Sequence, residues 1–285
     1  MARLAELSFT KGHGTANDFI LVQDTDNTWQ PTKEQVSWLC DRRRGIGADG
    51  VIRVVPTVLV PDAAELAEAV WFMDYRNSDG SIAEMCGNGA RVFARYLVAA
   101  GFETDKSFLI ATRAGLHEIV IQTDLSVSVS MGSAVATPEN ESISVSLPGV
   151  PRVLPARGVH VPNPHAVVFI PAELSLGELD LTDPSVKAND LFPEGVNIEF
   201  VVRKGDKHLQ LRVVERGSGE TMSCGTGACA VAWVDMQDSI SSDGEWQIDV
   251  PGGTLWVSQI AGHLWLRGPA ELVARGKVLL PANLL

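Results

Sequence analysis

Two cysteines, Cys86 and Cys224, each open a similar motif that is suited to acid–base chemistry. The motifs read Cys-Gly-Asn-Gly-Ala and Cys-Gly-Thr-Gly-Ala, and a run with helical spacing, rich in Ala and Val, follows each of them. A sulfur at a helix start lies at the positive end of the helix dipole, which can lower a thiol pKa from about 8.5 towards neutrality. We therefore predict that either cysteine can act as a thiolate base.

The residues that follow each cysteine could bind a carboxylate. Glycine lets a ligand approach the backbone closely, and the first N–H groups of a helix favour an anion. The predicted donors are the amides of Gly87, Asn88, Gly225 and Thr226. Removal of an α-proton from an amino acid spreads charge into its carboxylate, so such dipoles stabilise the transition state. One thiolate and one thiol on opposite faces of the α-carbon would invert its configuration.

The alternative for a single motif of this type is an inert, buried cysteine at a tight helix entry. Two matching copies favour catalysis over that alternative. Cys40 lies inside a segment with helical spacing, and Cys229 lies inside the helix that follows Cys224, so we expect both in the core. The four cysteines form no C-x-x-C pair, and we expect neither a disulfide framework nor a metal site.

Short strands dominate the pattern of the chain. Runs rich in Val and Ile predict strands at Leu109–Thr112, Glu118–Gln122, Ser126–Met131, Ala166–Ile170, Ile198–Val202 and Leu209–Val214. Helical spacing is confined to Thr32–Arg43, Ala63–Val70 and the runs after Cys86 and Cys224. Few helices among many strands indicate an α+β fold.

The repeated cysteine motif predicts two pseudo-symmetric halves. Asn17 and Asn163 strengthen this interpretation, because each lies in a turn-forming cluster well upstream of its cysteine. We place the change between the halves near Met131–Pro138. The predicted domains are residues 1–131 plus 272–285, and residues 132–271.

Composition limits the classes of partner. The 285 residues carry a net charge of −12, which leaves no basic field for a nucleic acid or an anionic membrane. No apolar run approaches the roughly 20 residues that span a bilayer, and the N-terminus lacks a signal-peptide pattern. We expect a cytoplasmic protein that acts on a small molecule.

Together the motifs resemble those of the diaminopimelate epimerase family over nearly the whole chain. Besides the two cysteine motifs, the resemblance includes His13–Phe19, Arg44–Gly50, Asn77–Ser81, Asn163–His165, Gly195–Asn197 and Glu215–Thr221. It implies an isomerase that interconverts L,L- and meso-diaminopimelate without a cofactor, in lysine and cell-wall precursor biosynthesis. It also implies a mixed or antiparallel sheet wrapped around a central helix in each domain, with the active site in the cleft between them. A homodimer is the expected assembly.

The resemblance assigns roles residue by residue. It implies substrate contacts by Asn17, Asn77, Gly87, Asn88, Asn163, Asn197, Glu215, Arg216, Gly225 and Thr226. It gives His165 and Glu215 supporting roles in catalysis, and it makes Cys86 the base for the L,L isomer and Cys224 the base for the meso isomer. By contrast, we interpret His13 as structural and Arg42–Arg44 as a solvated helix end. Ala16 and Gly50 stand where many relatives have Gly and Gln.

Three other functions fit parts of the pattern. A proline racemase-like enzyme would typically have Cys-Gly-His-Gly, and Asn88 stands at the His position. A catalytically inactive amino-acid-binding protein would have no use for two thiols. A thiol redox protein would join Cys86 to Cys224, and we keep reversible inactivation by that disulfide as a secondary hypothesis.

Overall fold

The computed structural model describes residues 6–138, 142–183, 186–189 and 191–284. Within these ranges the α-helices are α1 (Lys33–Cys40), α2 (Gly87–Ala99) and α3 (Gly225–Asp238). The strands are β1 (Glu6–Gly14), β2 (Asn17–Gln23), β3 (Gly50–Pro56), β4 (Trp71–Asn77), β5 (Ser107–Thr112), β6 (Gly115–Ile121), β7 (Val127–Gly132), β8 (Val135–Ala136), β9 (Ile143–Ser146), β10 (Leu154–Val161), β11 (Asn163–Phe169), β12 (Lys187–Ala188), β13 (Asn197–Gly205), β14 (His208–Glu215), β15 (Gly219–Thr221), β16 (Glu245–Val250), β17 (Gly253–Ile260), β18 (His263–Gly268) and β19 (Glu271–Leu279). This content confirms the predicted α+β class.

The chain forms two compact units, each with its own set of strands around a central helix. The first unit contains the described residues up to Val129 together with those from Gly268 onward. In its sheet, β1 and β2 form a hairpin, β2 lies parallel to β3, and β3 is antiparallel to β4. Strand β4 lies parallel to β5. Strand β6 is antiparallel to β5, and β7 is antiparallel to β6. Strand β19 pairs with the other side of β1. The connection from β4 to β5 runs through α2.

The second unit, Ser130–Arg267, repeats this connectivity. Here β10 and β11 form the hairpin, β11 lies parallel to β13, and β13 is antiparallel to β14. Strand β14 lies parallel to β16, which is followed by antiparallel β17 and β18. The connection from β14 to β16 runs through α3. Both units therefore share one connectivity, as the repeated cysteine motif predicts.

The central helix of each unit is buried over most of its surface. In α2 the buried residues include Val92, Phe93 and Leu97, and α3 buries Val231 and Val234 in the same way. A helix that is buried all round needs strands on several of its faces, which fits a curved sheet around each helix. Full burial of each large side chain stabilises the unit by roughly 1.5–3 kcal/mol. The helix start, where the cysteine lies, is thereby held rigidly.

Two predicted helices differ from the observed ones. The segment predicted as the helix Ala63–Val70 is instead a 3-10 helix over Pro61–Leu66, and β4 begins at Trp71. The helix predicted over Thr32–Arg43 ends at Cys40, because the backbone of Asp41 is extended and its carboxylate accepts from the N–H groups that follow.

In the part of the chain that the structure describes, no helix combines the length and the apolar character needed to cross a membrane.

Candidate active site

Cys86 is the N-cap residue of α2. Its extended backbone (φ −142°, ψ 117°) places the sulfur over the first turn, where Sγ accepts a hydrogen bond from the Gly89 N–H at 3.4 Å. The thiol also lies 3.8 Å from Asn17 Oδ1, and Asn88 Nδ2 donates to the same oxygen at 3.2 Å. The structure thus brings together three residues that the sequence places in the site.

The amide of Asn17 is oriented by Asp49. Asn17 Nδ2 donates to Asp49 Oδ2 at 2.8 Å, which turns Oδ1 towards Cys86. Arg42 bridges Asp49 and Asp18, at 2.8 and 2.7 Å, beyond the end of α1. Burial raises the pKa of Asp18, but hydrogen bonds from Arg42 and Lys11 outweigh it and lower that pKa to about 2. Arg42 is exposed, as expected for a solvated helix end, and it also belongs to an ion-pair network that supports Asn17.

Arg91 supports the start of α2 from below. Its guanidinium is fully buried and donates to Asn88 Oδ1 at 2.8 Å, Gly87 O at 3.2 Å and Thr15 Oγ1 at 3.3 Å. A planar guanidinium holds several acceptors in fixed directions. Arg91 is not among the site residues predicted from the sequence, although a charged residue inside a helical run rich in apolar residues is a signal for such a group.

Asn77 lies at the same end of the first sheet. It is the last residue of β4 and is paired in register with Gly50, and its Nδ2 donates to Ser81 Oγ at 3.0 Å. A Cβ atom at Gly50 would lie 2.6 Å from Arg76 O and from the ring of Tyr75. The strand pairing therefore leaves no space for a larger residue at position 50.

Cys224 repeats the geometry of Cys86 at the start of α3. Its sulfur accepts from the Gly227 N–H at 3.4 Å and lies 3.4 Å from Thr226 Oγ1. Asn197 Nδ2 approaches the sulfur at 3.9 Å, and the thiol hydrogen-bonds to Glu215. Asn197, Glu215 and Thr226, which the sequence predicts as site residues, therefore lie around Cys224.

Glu215 and Arg216 end β14 beside this cysteine. Thr221 Oγ1 donates to the Glu215 carboxylate, and the Arg216 N–H donates to Asn197 Oδ1 at 2.9 Å. Burial raises the pKa of Glu215, while hydrogen bonds from Thr221 and Cys224 oppose that rise. The guanidinium of Arg216 is on an exposed residue and donates to the Glu194 carbonyl at 3.4 Å, so it can reach a solvated anion.

His165 lies beneath α3 and is completely buried. Its Nε2 lies 3.1 Å from Asn163 Oδ1, and its Nδ1 lies 2.6 Å from Oε1 of Glu199, which is also completely buried. Glu199 is not among the site residues predicted from the sequence. The signal was a glutamate inside β13, on the same face as Asn197, whereas Ile198 and the other alternate residues pack into the hydrophobic core.

The protonation of Cys224 differs from the expectation based on the helix dipole alone. Burial raises its pKa well above the ordinary value, and the charges of Glu215 and Glu199 raise it further. Hydrogen bonds from Thr226 and the Gly227 N–H act in the opposite direction but are smaller. Desolvation disfavours a thiolate more strongly than the helix start favours it, so the thiol is the preferred form.

Of the other residues predicted to be structural, the two cysteines lie in the cores and His13 lies on a strand. Cys40 belongs to a hydrophobic cluster of the first unit with Val36 and Leu39, and burial raises its pKa to about 12. Cys229 is buried within α3. His13 lies on β1, 3.8 Å from Glu271 on the adjacent strand. All four cysteines are thiols, and the described residues contain no cluster of three or more side chains suited to a metal ion.

Comparisons with known proteins identify relatives over nearly the full length. The family model for diaminopimelate epimerase matches residues 9–137 and 158–273. A diaminopimelate epimerase from Streptomyces coelicolor is 45% identical over 279 residues, which cover 95% of this chain and 95% of that protein. One from Thermobifida fusca is 41% identical over 285 residues and covers 97% and 99% of the two chains.

Solved structures share the fold at low identity. A phenazine biosynthesis protein of the PhzF family from Bacillus anthracis has a TM-score of 0.69 at 15% identity, covering 97% of this chain and all of that one. A hydroxyproline epimerase from Agrobacterium vitis has a TM-score of 0.66 at 14% identity, covering 98% and 94%. These likenesses confirm the mixed, mostly stranded two-domain fold.

Proposed function

The chain belongs to the diaminopimelate epimerase family, and from this premise we propose that Cys86 and Cys224 are the acid–base pair of its reaction. The enzyme is an isomerase that interconverts L,L- and meso-diaminopimelate, in lysine and cell-wall precursor biosynthesis. The observation that carries the proposal is the repeated geometry, in which each unit presents one cysteine sulfur as the N-cap of its central helix.

The two sulfurs act on opposite faces of one α-carbon. From the L,L isomer, the Cys86 thiolate takes the α-proton and the Cys224 thiol supplies its proton to the other face. The reverse reaction exchanges these roles, so Cys224 is the base for the meso isomer. No cofactor takes part in the proposed steps.

Backbone amides at the helix starts stabilise the carbanion. Gly87 and Asn88 hold the first two helical positions of α2, and Gly225 and Thr226 hold those of α3. N–H groups at these positions point out of the helix and favour an anion. They bind the reacting carboxylate, into which charge spreads when the α-proton leaves. Loss of one such donor typically costs about 3 kcal/mol of transition-state stabilisation.

Side chains around the cysteines recognise the two amino-acid heads. The proposed substrate contacts are Asn17, Asn77, Asn163, Asn197, Glu215 and Arg216. Arg216 and side-chain amides bind the distal carboxylate, and Glu215 and asparagine oxygens accept from ammonium groups. Because both ends are recognised, shorter amino acids are excluded. His165 supports catalysis by holding Asn163, and Glu215 does so by accepting a hydrogen bond from Cys224.

The test is incubation with L,L-diaminopimelate in deuterated water, without any added cofactor. We expect meso product that carries deuterium at the inverted carbon, because the proton donor exchanges with solvent. Inversion without label, or a requirement for pyridoxal phosphate, would contradict the proposal. L-Proline is the comparison substrate, and turnover of proline alone would favour a proline racemase-like enzyme instead.

The compartment, the assembly and the domain bounds are also proposals. We propose that the enzyme works in the cytoplasm as a homodimer and that its domains are residues 1–131 with 272–285, and 132–271. Val273 and Leu279 on β19 are exposed apolar residues, which a second copy could cover. Light scattering of the purified protein measures the assembly directly.

A further inference from the structure

The strand residues that pack against the start of α2 differ in type from those that pack against the start of α3. In the first unit β2 pairs with β3 so that Phe19 faces Gly50, and in the second unit β11 pairs with β13 so that His165 faces Asn197. Phe19 and His165 thus hold equivalent positions. Ile52 lies two residues after Gly50 on β3, and Glu199 lies two residues after Asn197 on β13. Ile52 and Glu199 therefore also hold equivalent positions.

Contacts at the helix starts agree with this equivalence. The nearest atoms to a Cβ built at Gly89 include Ile52 Cδ1 at 3.3 Å and Phe19 Cε1 at 3.6 Å. For Gly227, the matching residue of α3, the nearest atom is Glu199 Oε1 at 2.8 Å. An apolar support beneath one cysteine is therefore replaced by a carboxylate beneath the other.

The position of Glu199 is costly for folding. The residue is completely buried, and among the described residues its Oε2 has no hydrogen-bond partner, while Oε1 lies 2.6 Å from His165 Nδ1. An ionised carboxylate away from water needs a partner to offset desolvation, and one imidazole contact satisfies only half of it. The first unit shows that Ile fits the equivalent position. Glu199 is therefore better explained by function than by stability.

The groups that face Cys224 come from two strands and from its own helix. Glu199 and Asn197 belong to β13 and Glu215 to β14, and α3 contributes the Thr226 hydroxyl and the Gly227 N–H. Burial raises the pKa of Cys224 most, and the charges of Glu215 and Glu199 add to that effect. Neither carboxylate has an equivalent acid in the first unit, where Ile52 stands at the position of Glu199 and Asn77 at the position of Glu215.

We propose that Glu199 is a positioning residue that holds His165 beneath α3 and, through its negative charge, keeps Cys224 protonated in the resting enzyme. The inference rests on the proposed function, in which the two sulfurs share one exchangeable proton. Glu199 assigns that proton to Cys224, so the resting enzyme is ready for the L,L isomer. After inversion Cys86 holds the abstracted proton and Cys224 is a thiolate. Exchange with solvent returns the proton to Cys224.

The test measures the pH dependence of thiol alkylation in the full chain. Wild type, Glu199→Gln and Glu199→Asp are treated with iodoacetamide over a range of pH, and peptide mass spectrometry quantifies Cys86 and Cys224 separately. We expect Glu199→Gln to increase the alkylation of Cys224 about tenfold at a pH below its midpoint, because one pKa unit changes the thiolate fraction tenfold. Glu199→Asp keeps the charge and should remain close to wild type.

Controls separate charge from packing. Glu245→Gln removes a negative charge from the exposed end of β16 and should leave the Cys224 profile unchanged. An unchanged profile in Glu199→Gln, or equal shifts in the Gln and Asp variants, would overturn the inference. If Glu199→Gln does not fold, Gly227→Ala replaces it, because the added methyl group displaces the carboxylate and should produce the same shift.

Alkylation does not depend on turnover of diaminopimelate, so the two proposals fail separately. A shifted Cys224 profile in a protein that cannot epimerise diaminopimelate would refute the proposed function and leave the role of Glu199 intact. Normal epimerisation by wild type with no shift in Glu199→Gln would refute only the role of Glu199.

Discussion

The backbone of Gly227 passes so close to Glu199 that a Cβ atom there would lie 2.8 Å from the Oε1 atom of Glu199. A contact this short requires one of the two groups to move, and the same oxygen is held by His165 Nδ1 at 2.6 Å. Glycine at this position thus allows a helix start, a cysteine and a buried acid to occupy one small space. The equivalent contact in the first unit is the looser one between Gly89 and Ile52.

Gly227→Ala should therefore lower activity more than Gly89→Ala. We expect the first variant to lose about tenfold or more in kcat, because it displaces the carboxylate beneath Cys224, whereas the methyl group of Gly89→Ala meets a movable Ile52 side chain at 3.3 Å. Release of the α-proton into solvent during epimerisation measures both variants. Equal losses would mean that any added methyl group at a helix start blocks the substrate.

Replacing either N-cap cysteine by Ala should abolish inversion. Loss of a positioned acid or base lowers the rate typically by 10²–10⁴-fold, whereas Cys40→Ala and Cys229→Ala remove only buried sulfur atoms. Those two variants should keep the chemical step and lose about 1 kcal/mol of stability. Epimerase assays combined with urea unfolding distinguish the two effects. Comparable losses of activity in all four variants would indicate a folding defect rather than catalysis.

Asp49→Ala should reduce kcat/KM about tenfold, since Asn17 loses the acceptor that orients its amide towards Cys86. Because Asn17 is a proposed substrate contact, part of the loss should appear as a higher KM. Arg44→Ala is a suitable control, as Arg44 pairs with Asp41 at the exposed end of the same segment. If the kcat and KM of Asp49→Ala equal those of wild type, Asn17 does not need the hydrogen bond to Asp49 to orient its amide.

The sequence predicted the parts of the site that depend on local structure. Each cysteine lies at the start of a helix because the motif and the helical run are contiguous, and the repetition of that motif also predicts the shared connectivity of the units. Asn17 and Asn163 each begin the second strand of a hairpin, close to the turn clusters in which the sequence places them. Short-range signals therefore gave the positions of the proposed reacting groups.

The features of the site that the sequence did not predict depend on strand register and on burial. Glu199 contacts His165, 34 positions away in the chain, because β11 and β13 pair in parallel, and no local pattern encodes that register. Similarly, Asp49 contacts Asn17 across the pairing of β2 with β3. The raised pKa of Cys224 follows mainly from desolvation, whereas the motif itself indicates only the effect of the helix dipole.

Ala16→Gly should stabilise the first unit. Thr15 and Ala16 form the two-residue turn between β1 and β2, and both have positive φ, 50° and 62°. The left-handed conformation costs a non-glycine residue roughly 1–2 kcal/mol, and the extra freedom of glycine in the unfolded chain cancels about 0.4–1 kcal/mol of the gain. We expect a net gain of about 0.5–1 kcal/mol in urea unfolding, from the same two estimates. Ala114→Gly, in an exposed turn without positive φ, should destabilise instead.

Glu215→Gln should make the protein more stable at neutral pH while it lowers activity. Burial raises the pKa of Glu215 in the folded state, so between its unfolded and folded pKa values the folded protein binds more protons than the unfolded chain. Stability then falls as pH rises through that window, and a neutral glutamine avoids this loss. Urea unfolding should show a higher midpoint for the variant at pH 7 and a smaller difference at pH 4. Glu220→Gln, which breaks a two-contact pair with Arg212, should have the opposite sign at pH 7. A Glu215→Gln protein that unfolds more easily than wild type at pH 7 would show that the partners of the carboxylate stabilise its charge more than burial disfavours it.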